Sequence, residues 1–483
     1  MSKQDLVLVI DQGTTGTKAI AFDVNGKMVS RGYAKLKLNF PKPDWVEVAP
    51  SDVDSSLNQA LQECLKSIDA HSIVAIGVTN QRETCTLVDI KSGSTLYPFI
   101  VWQDRRTREA CQKLPAEMIT TRTGLRPHPY FSASKIAWIL SSQGLHTQAD
   151  YRMMTMDTYV TYLLSGRKVV VTDPTNASRT LLYNIHADTW DGELCGLFGI
   201  QERLLPRVIQ NGEEVGKSAA VLGLPAGIPI VAAVGDQQAA WVGSGALFKP
   251  TLKLTLGTGA FSIGPEAHQP AQRGILQTIG YHSKKKKRFG YEGVAFCSGM
   301  IIEWLEKGKW INSYKDIDEL KFPPKTPVMF FPFFTEMGTP YWKPAKQGAS
   351  VHQLTLDSSP QDMISAAIMS IVFQNLLILE QYDMTQVSEL YMDGGVSQSR
   401  FVQKAMAALL DKPIRVSSFA DITSLGVLIS ILKDWMDIPH DRLGVMAAEN
   451  FAPVESAKSS KHSPGSLMQQ YVHWKQALST QIN

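Results

Sequence analysis

Two kinds of residue in this chain could do chemistry: glycine–threonine turns able to hold a phosphate, and charged side chains at the ends of apolar runs. The stretch IDQGTTGTKAIAFD, residues 10–23, has both. Glycines at 13 and 16 let backbone N–H groups converge on an anion. The hydroxyls of Thr14 and Thr15 can donate beside them, and Asp11 is placed to hold a magnesium ion. A P-loop would need Gly-Lys-Ser/Thr opening a helix. Here Lys18 follows Thr17, and AIAFD after it is too short and too apolar to start one. The stretch reads as strand, tight turn, strand. It is either a phosphate cradle or an ordinary Gly-Thr hairpin.

Three further groups stand out. NQRET, residues 80–84, sets Arg82 beside Glu83 after an apolar run. One donates and one accepts, so together they could grip a polyhydroxylated ligand; the plainer reading is a surface ion pair, worth little. VWQDRRT, residues 101–107, sets Trp102 among polar residues, as a cleft wall or as a core side chain. GDQQ, residues 235–238, puts Asp236 just past an apolar run. A carboxylate there could take a proton from a hydroxyl nucleophile, or could cap the helix that follows.

The elements that must position these groups alternate between strand and helix patterns, the mark of α/β architecture. Residues 6–10, 73–79, 228–234, 251–256 and 390–393 read as buried strands. The fourth ends at Gly257-Thr258-Gly259, echoing the first turn, and the fifth ends at Gly394-Gly395. Ser51 is expected to cap a helix that buries Val53, Leu57, Ala60, Leu61, Cys64, Leu65 and Ile68. Ser359-Pro360 opens a long helix with Asp362 in its first turn and Met363, Ile364, Ala367, Ile368, Ile371 and Val372 as its buried side. The arrangement predicts two similar α/β domains, 1–245 and 246–483, with a nucleotide in the cleft between them. The KKKKR run at 284–288 lies between two strand patterns and reads as a solvated hairpin tip.

Composition narrows the class. With 483 residues, 44% hydrophobic and 19% charged, the chain suits a globular protein with large cores. A net charge of +3 is too small to argue for nucleic acid. Five dispersed cysteines without a Cys-x-x-Cys pair predict buried free thiols in a reducing, cytoplasmic setting. The early apolar run reads as a core strand rather than a signal peptide, and no stretch is read as long and apolar enough to span a membrane.

Taken together, IDQGTTGTKAIAFD, VTNQRET, VWQDRRT, TGLRPHPYFSASKIAWIL, VTDPTNASRTLLYNIHADTWDGELCGLFGI, GDQQAA, TLGTGAF and MDGGV make the chain resemble the glycerol kinases, within the wider FGGY family of carbohydrate kinases. The resemblance covers nearly the whole chain and is closest over residues 1–262. It implies a two-lobed, actin-like (ribonuclease-H-type) ATPase fold with its active site in the interdomain cleft. It further implies that Arg82, Glu83, Tyr130, Asp236 and Gln237 hold glycerol, with Trp102 and Phe261 as walls. Asp236 would be the general base, and Asp11 would organise Mg²⁺ through water. On the ATP side it implies Thr14, Thr15, Gly16, Lys18, Thr258, Gly299, Glu303, Gly395 and Ser399. Five positions depart from the usual pattern: Lys18 for Arg, Glu303 for Gln, Ser399 for Asn, Gln353 for Gly, and Ser370 for a carboxylate. The resemblance leaves homodimer and homotetramer open.

The reading is thus ATP-dependent phosphorylation of glycerol to sn-glycerol 3-phosphate. One alternative is an FGGY kinase of another small polyol or a ketose, which would need room where Trp102 and Phe261 stand. A catalytically weak, actin-like nucleotide-binding protein is a second; it would not need Arg82, Glu83 and Asp236 together.

Overall fold

The computed structural model describes residues 5–145, 150–267, 274–345, 348–455 and 464–482. They form two compact units. One is Met1–Gly243 with Gln277–Gly290 and Asp421–Ala447; the other is Ser244–Leu276, Tyr291–Ala420 and Ala448–Asn483.

The first unit is built on a six-stranded sheet, in the order Gly216–Lys217, Pro229–Gly235, Ile73–Asn80, Leu6–Gln12, Gly16–Asp23, Met28–Lys35. Leu6–Gln12 and Pro229–Gly235 each run parallel to Ile73–Asn80. Gly16–Asp23 folds back antiparallel on Leu6–Gln12, closed by Gly13 N–H donating to the Gly16 carbonyl at 2.9 Å. The register sets Gln12 opposite Asn80, and Asn80 opposite Gly235. Three candidate loops therefore leave the carboxyl edge of one sheet, side by side, where α/β proteins present ligand-binding groups.

Both faces of that sheet are covered. The helix Pro50–Leu65 buries Val53, Leu57, Ala60, Leu61 and Cys64. Its N-cap is Ala49, with no side-chain bond, and Pro50 occupies the first turn. Ser51 is therefore not the cap the sequence suggested: proline presets the helical φ, so the helix starts before the serine. On the opposite face lies the helix Ile422–Asp434. A Cβ on Gly77 would come within 2.5 Å of Val427, and one on Gly426 within 1.7 Å of the Ala239 carbonyl. These glycines let the helix approach the sheet and the helix Asp236–Gly243 closely, which ties 421–447 to the first unit.

In the second unit Thr251–Leu256 pairs antiparallel with Ala260–Glu266 and parallel with Glu389–Asp393, which pairs parallel with Ile414–Ser417. The helix Pro360–Leu379 opens with a Ser359/Asp362 capping box. The sequence assigned it one buried side, but from Ile364 to Leu379 it is buried all round. With a mean hydropathy of 1.8 over 18 residues it is long and apolar enough to cross a membrane by length and composition, which corrects the reading of the sequence on that point. That window is 89% buried, and the helix packs into a core with Leu254, Ile301, Phe331 and Trp474. Two of the departures gain a physical setting here. Gln353, where glycine is usual, sits at φ +58°, and Ser370 turns its hydroxyl back to the Ala367 carbonyl at 2.6 Å. The basic run closes a hairpin at Ser283–Lys286, with Lys284, Lys285 and Lys286 exposed, as its charge required.

Candidate active site

The Arg82–Glu83 pair is not a surface ion pair. Their side chains are 1% and 2% exposed. Glu83 has φ +62°, and Thr84 N–H donates across it to the Arg82 carbonyl at 2.8 Å. That is the rarer, strained γ-turn, an uncommon state for a side chain of this size. It turns both side chains inward from the end of Ile73–Asn80. Arg82 Nε lies 3.3 Å from Asp236 Oδ1 and 3.9 Å from Glu83 Oε1. Its Nη1 donates to Gln238 Oε1 at 3.1 Å and its Nη2 to the Tyr130 hydroxyl at 3.4 Å. Gly235 makes room for this arginine, because a Cβ there would fall 2.7 Å from Arg82 Cδ.

Asp236 begins the helix Asp236–Gly243, and its carboxylate accepts the Gln237 N–H at 2.7 Å. Its carboxyl is recessed but keeps 30% of the side chain accessible. Burial pushes it up to about 6; the Arg82 guanidinium opposes the rise, while the charges of Glu83 and Asp11 add to it. Such a group is ionised at neutral pH yet basic enough to accept a proton. The Trp102 ring meets Tyr130 edge-on, centroids 5.9 Å apart, and its Nε1 donates to Thr14 Oγ1 at 2.9 Å. Trp102 is thus half-buried, packed on one side against the core around Phe99 and Val101 and edge-on to Tyr130 on the other. Arg82, Glu83, Trp102, Tyr130, Asp236 and Gln237 come together in the first unit; Phe261 lies on Ala260–Glu266, in the second.

The loop beside them is braced by charge. Lys18 Nζ lies 3.2 Å from Asp11 Oδ2 and 3.0 Å from Asp421 Oδ1, and Arg31 holds the other Asp421 oxygen at 3.1 Å. Asp11, with help from Asp421, holds the ammonium above the ordinary lysine range against the effect of burial. Thr15 is exposed at the turn, and Gly16 passes so close to Ala34 that a Cβ would lie 2.6 Å from its carbonyl. Among the described residues no group of three or more His, Cys, Asp or Glu could cage a metal. One recessed carboxylate, Asp11, does fit Mg²⁺, which keeps several waters and takes one or two carboxylates plus phosphate oxygens.

In the second unit the Gly257–Gly259 turn is stitched to the helix Gly299–Lys307. Gly299 N–H donates to the Gly257 carbonyl at 2.7 Å, and Ser298 N–H to the Thr258 carbonyl at 2.9 Å. Gly394, at φ +88°, lies against Leu256, and Gly395 begins a short 3₁₀ turn. Thr258, Gly299 and Gly395 therefore sit on adjoining backbone. Ser399 caps Arg400–Leu409 and donates to Asp318 Oδ1 at 2.7 Å, whereas Glu303 is exposed on its helix.

Sequence reasoning missed Arg179, Lys135, Gln238 and Asp421 as members of these networks. Arg179 is fully buried and donates from Nε to Glu83 Oε1 at 2.6 Å. Lys135 had a signal: it falls with Ser132, Ile136 and Ile139 on the buried stripe of the helix Ser132–Ser142, where a lysine is out of place. Asp421 had none, being some 400 residues from its partner Lys18.

Comparison with known proteins matches residues 6–243 to the N-terminal domain, and residues 252–432 to the C-terminal domain, of the FGGY family of carbohydrate kinases. The chain is 36% identical to the glycerol kinase of Nitrosomonas eutropha, over 89% of each chain. It is 38% identical to glycerol kinase 1 of Pseudomonas aeruginosa, over 87% of this chain and 88% of that one. The crystal structure of Plasmodium falciparum glycerol kinase with ADP superposes with a TM-score of 0.88 at 26% identity, covering 99% of both.

Proposed function

We infer that this chain, which belongs to the FGGY family of carbohydrate kinases, transfers the γ-phosphoryl group of ATP to a primary hydroxyl of glycerol, giving sn-glycerol 3-phosphate and ADP. The observation that carries the reading is the recessed Asp236 carboxyl, lifted to about 6 and set 3.3 Å from a buried arginine whose neighbour Glu83 also faces the site. This set would suit a small polyol: Arg82 and the Tyr130 hydroxyl donate, Glu83 accepts, and Trp102 offers a flat apolar wall. Arg179, donating to Glu83 Oε1 at 2.6 Å, holds that carboxylate in orientation.

In the proposed step Asp236 takes the hydroxyl proton as the oxygen attacks the γ-phosphorus, and the bond to the β-phosphate oxygen breaks with its electrons leaving on ADP. The protein otherwise positions groups and neutralises charge. Lys18 and the backbone N–H groups of Thr14 and Thr15, at the tip of the turn that the Gly13–Gly16 bond closes, would meet phosphate oxygens. Thr258, Gly299 and Gly395 offer the second unit's closely packed backbone to the nucleotide. Mg²⁺, when bound through Asp11, would offset phosphate charge. The location we assign is cytoplasmic, in keeping with five free, buried cysteines. A coupled ADP-release assay across glycerol, erythritol, xylitol, a pentulose and a hexose tests the reading. Glycerol should give the highest kcat/KM; a preference for the ketose would replace this reading with the neighbouring FGGY activity.

A further inference from the structure

Lys135 plays no part in the step above, yet it is among the most buried charged groups in the first unit, with no exposed surface. Among the described residues it makes no ion pair. Its Nζ instead donates to two main-chain carbonyls, Tyr130 at 2.7 Å and Glu83 at 3.2 Å. A lone buried ammonium is unfavourable, and burial pushes this one down to about 8. A methionine would fill the same space without that penalty.

What the ammonium holds is specific. Glu83 is the left-handed centre of the γ-turn, a strained state that persists only when its surroundings enforce it. Ser132 Oγ donates to the same Glu83 carbonyl at 3.1 Å. Both residues whose carbonyls Lys135 joins turn their side chains to the candidate site. Glu83 meets Arg179 there, and the Tyr130 hydroxyl accepts from Arg82.

We propose that Lys135 is a positioning residue for the polyol substrate: by tying the Glu83 turn to the Tyr130 main chain, it sets the carboxylate and the phenol at the spacing that glycerol hydroxyls require. The proposal rests on the acceptor-site reading above. It assigns no proton transfer to Lys135 and no contact with the nucleotide.

The test is Lys135→Met in the full chain, with glycerol and ATP varied separately and a thermal melt alongside. KM for glycerol should rise about tenfold, while KM for ATP stays within about twofold and kcat falls less than KM rises. A lysine that served only the fold would move the melting temperature and leave glycerol KM alone, or would raise both KM values together; either result overturns the proposal. Ser132→Ala, which removes only one donor to the Glu83 carbonyl, should raise glycerol KM by about threefold. If Lys135→Met does not fold, an unchanged glycerol KM in Ser132→Ala overturns the proposal instead. Glu83→Gln separates the two levels of inference. Should it leave glycerol KM unchanged, the acceptor-site reading itself fails. Should it raise KM where Lys135→Met does not, only the role of Lys135 falls.

Discussion

Asp236→Asn removes a proton acceptor while keeping the size of the side chain and an oxygen for the Gln237 N–H. The structure sets two magnitudes. The Asp236 carboxyl is pushed up to about 6, by burial first and by the charges of Glu83 and Asp11 after it. The wild-type kcat/KM for glycerol should therefore have an acid limb with its midpoint near that value, falling about tenfold for each further pH unit below it. An ordinary aspartate would place the limb about two units lower. The second magnitude is the loss on substitution. A general base contributes about two to four orders of magnitude, which is roughly 3–5 kcal/mol of barrier. Glycerol affinity should fall far less, because Arg82, Glu83 and Tyr130 remain. The assay is coupled ADP release from about pH 5 to about pH 8.5, paired with calorimetric titration of glycerol. A wild-type profile flat to about pH 5, or an Asp236→Asn enzyme within about tenfold of wild-type kcat, would refute the base assignment.

Three further outcomes are expected. Gly299→Ala places a Cβ 2.7 Å from the Gly257 carbonyl, so the turn must shift; KM for ATP should rise several-fold with glycerol KM unmoved, and equal changes in both would count against the assignment. Trp102→Ala removes the wall and the bond to Thr14. The kcat/KM ratio of erythritol or xylitol to glycerol should rise, provided a melt shows the variant folded; a fixed ratio would make Trp102 a packing residue. Asp173 is raised to about 7 by burial and then by the buried charge of Asp157, whose Oδ1 has no hydrogen-bond partner among the described residues. An acid raised on folding adds stability at low pH and loses it as pH climbs from its unfolded value of about 4 through its folded one. Asp157→Asn should shrink that loss, read as a smaller fall in Tm between about pH 4 and about pH 8; an undiminished fall would show that the two carboxyls do not interact.

Much of the frame was legible in the residue order, because strands and tight turns are local events. Short apolar runs such as LVLVI and TLKLTL, too brief for a helix and bounded by turn residues, read as buried strands, and the Gly-Thr pairs that follow them can turn where bulkier residues cannot. Asp236 and the Arg82–Glu83 pair were visible as charges stranded at the ends of such runs. The Ser51 cap failed on a local competition, since Pro50 opens the helix one residue earlier. The long helix misled because its flanking pattern showed one apolar side while tertiary packing closed over the rest.

Only the tertiary structure decided who meets whom. Whether Arg82–Glu83 is a wet surface pair or a buried clamp depends on Arg179 and Asp236, roughly 100 and 150 residues away. Asp421 reaches Lys18 because the segment after Ala420 returns to the first unit, a return that small side chains at Gly77 and Gly426 permit but do not announce. The single boundary read near residue 245 carried no trace of that return, nor of residues 277–290. The left-handed turn at Glu83 is opposed by its own side-chain sterics and is held by bonds from distant residues, Ser132 and Lys135 to its carbonyl and Arg179 to its carboxylate. Local pattern reports propensities summed over neighbours in the chain; a strained turn, a buried ammonium and a shifted carboxyl are set by atoms that folding alone brings within a few ångströms.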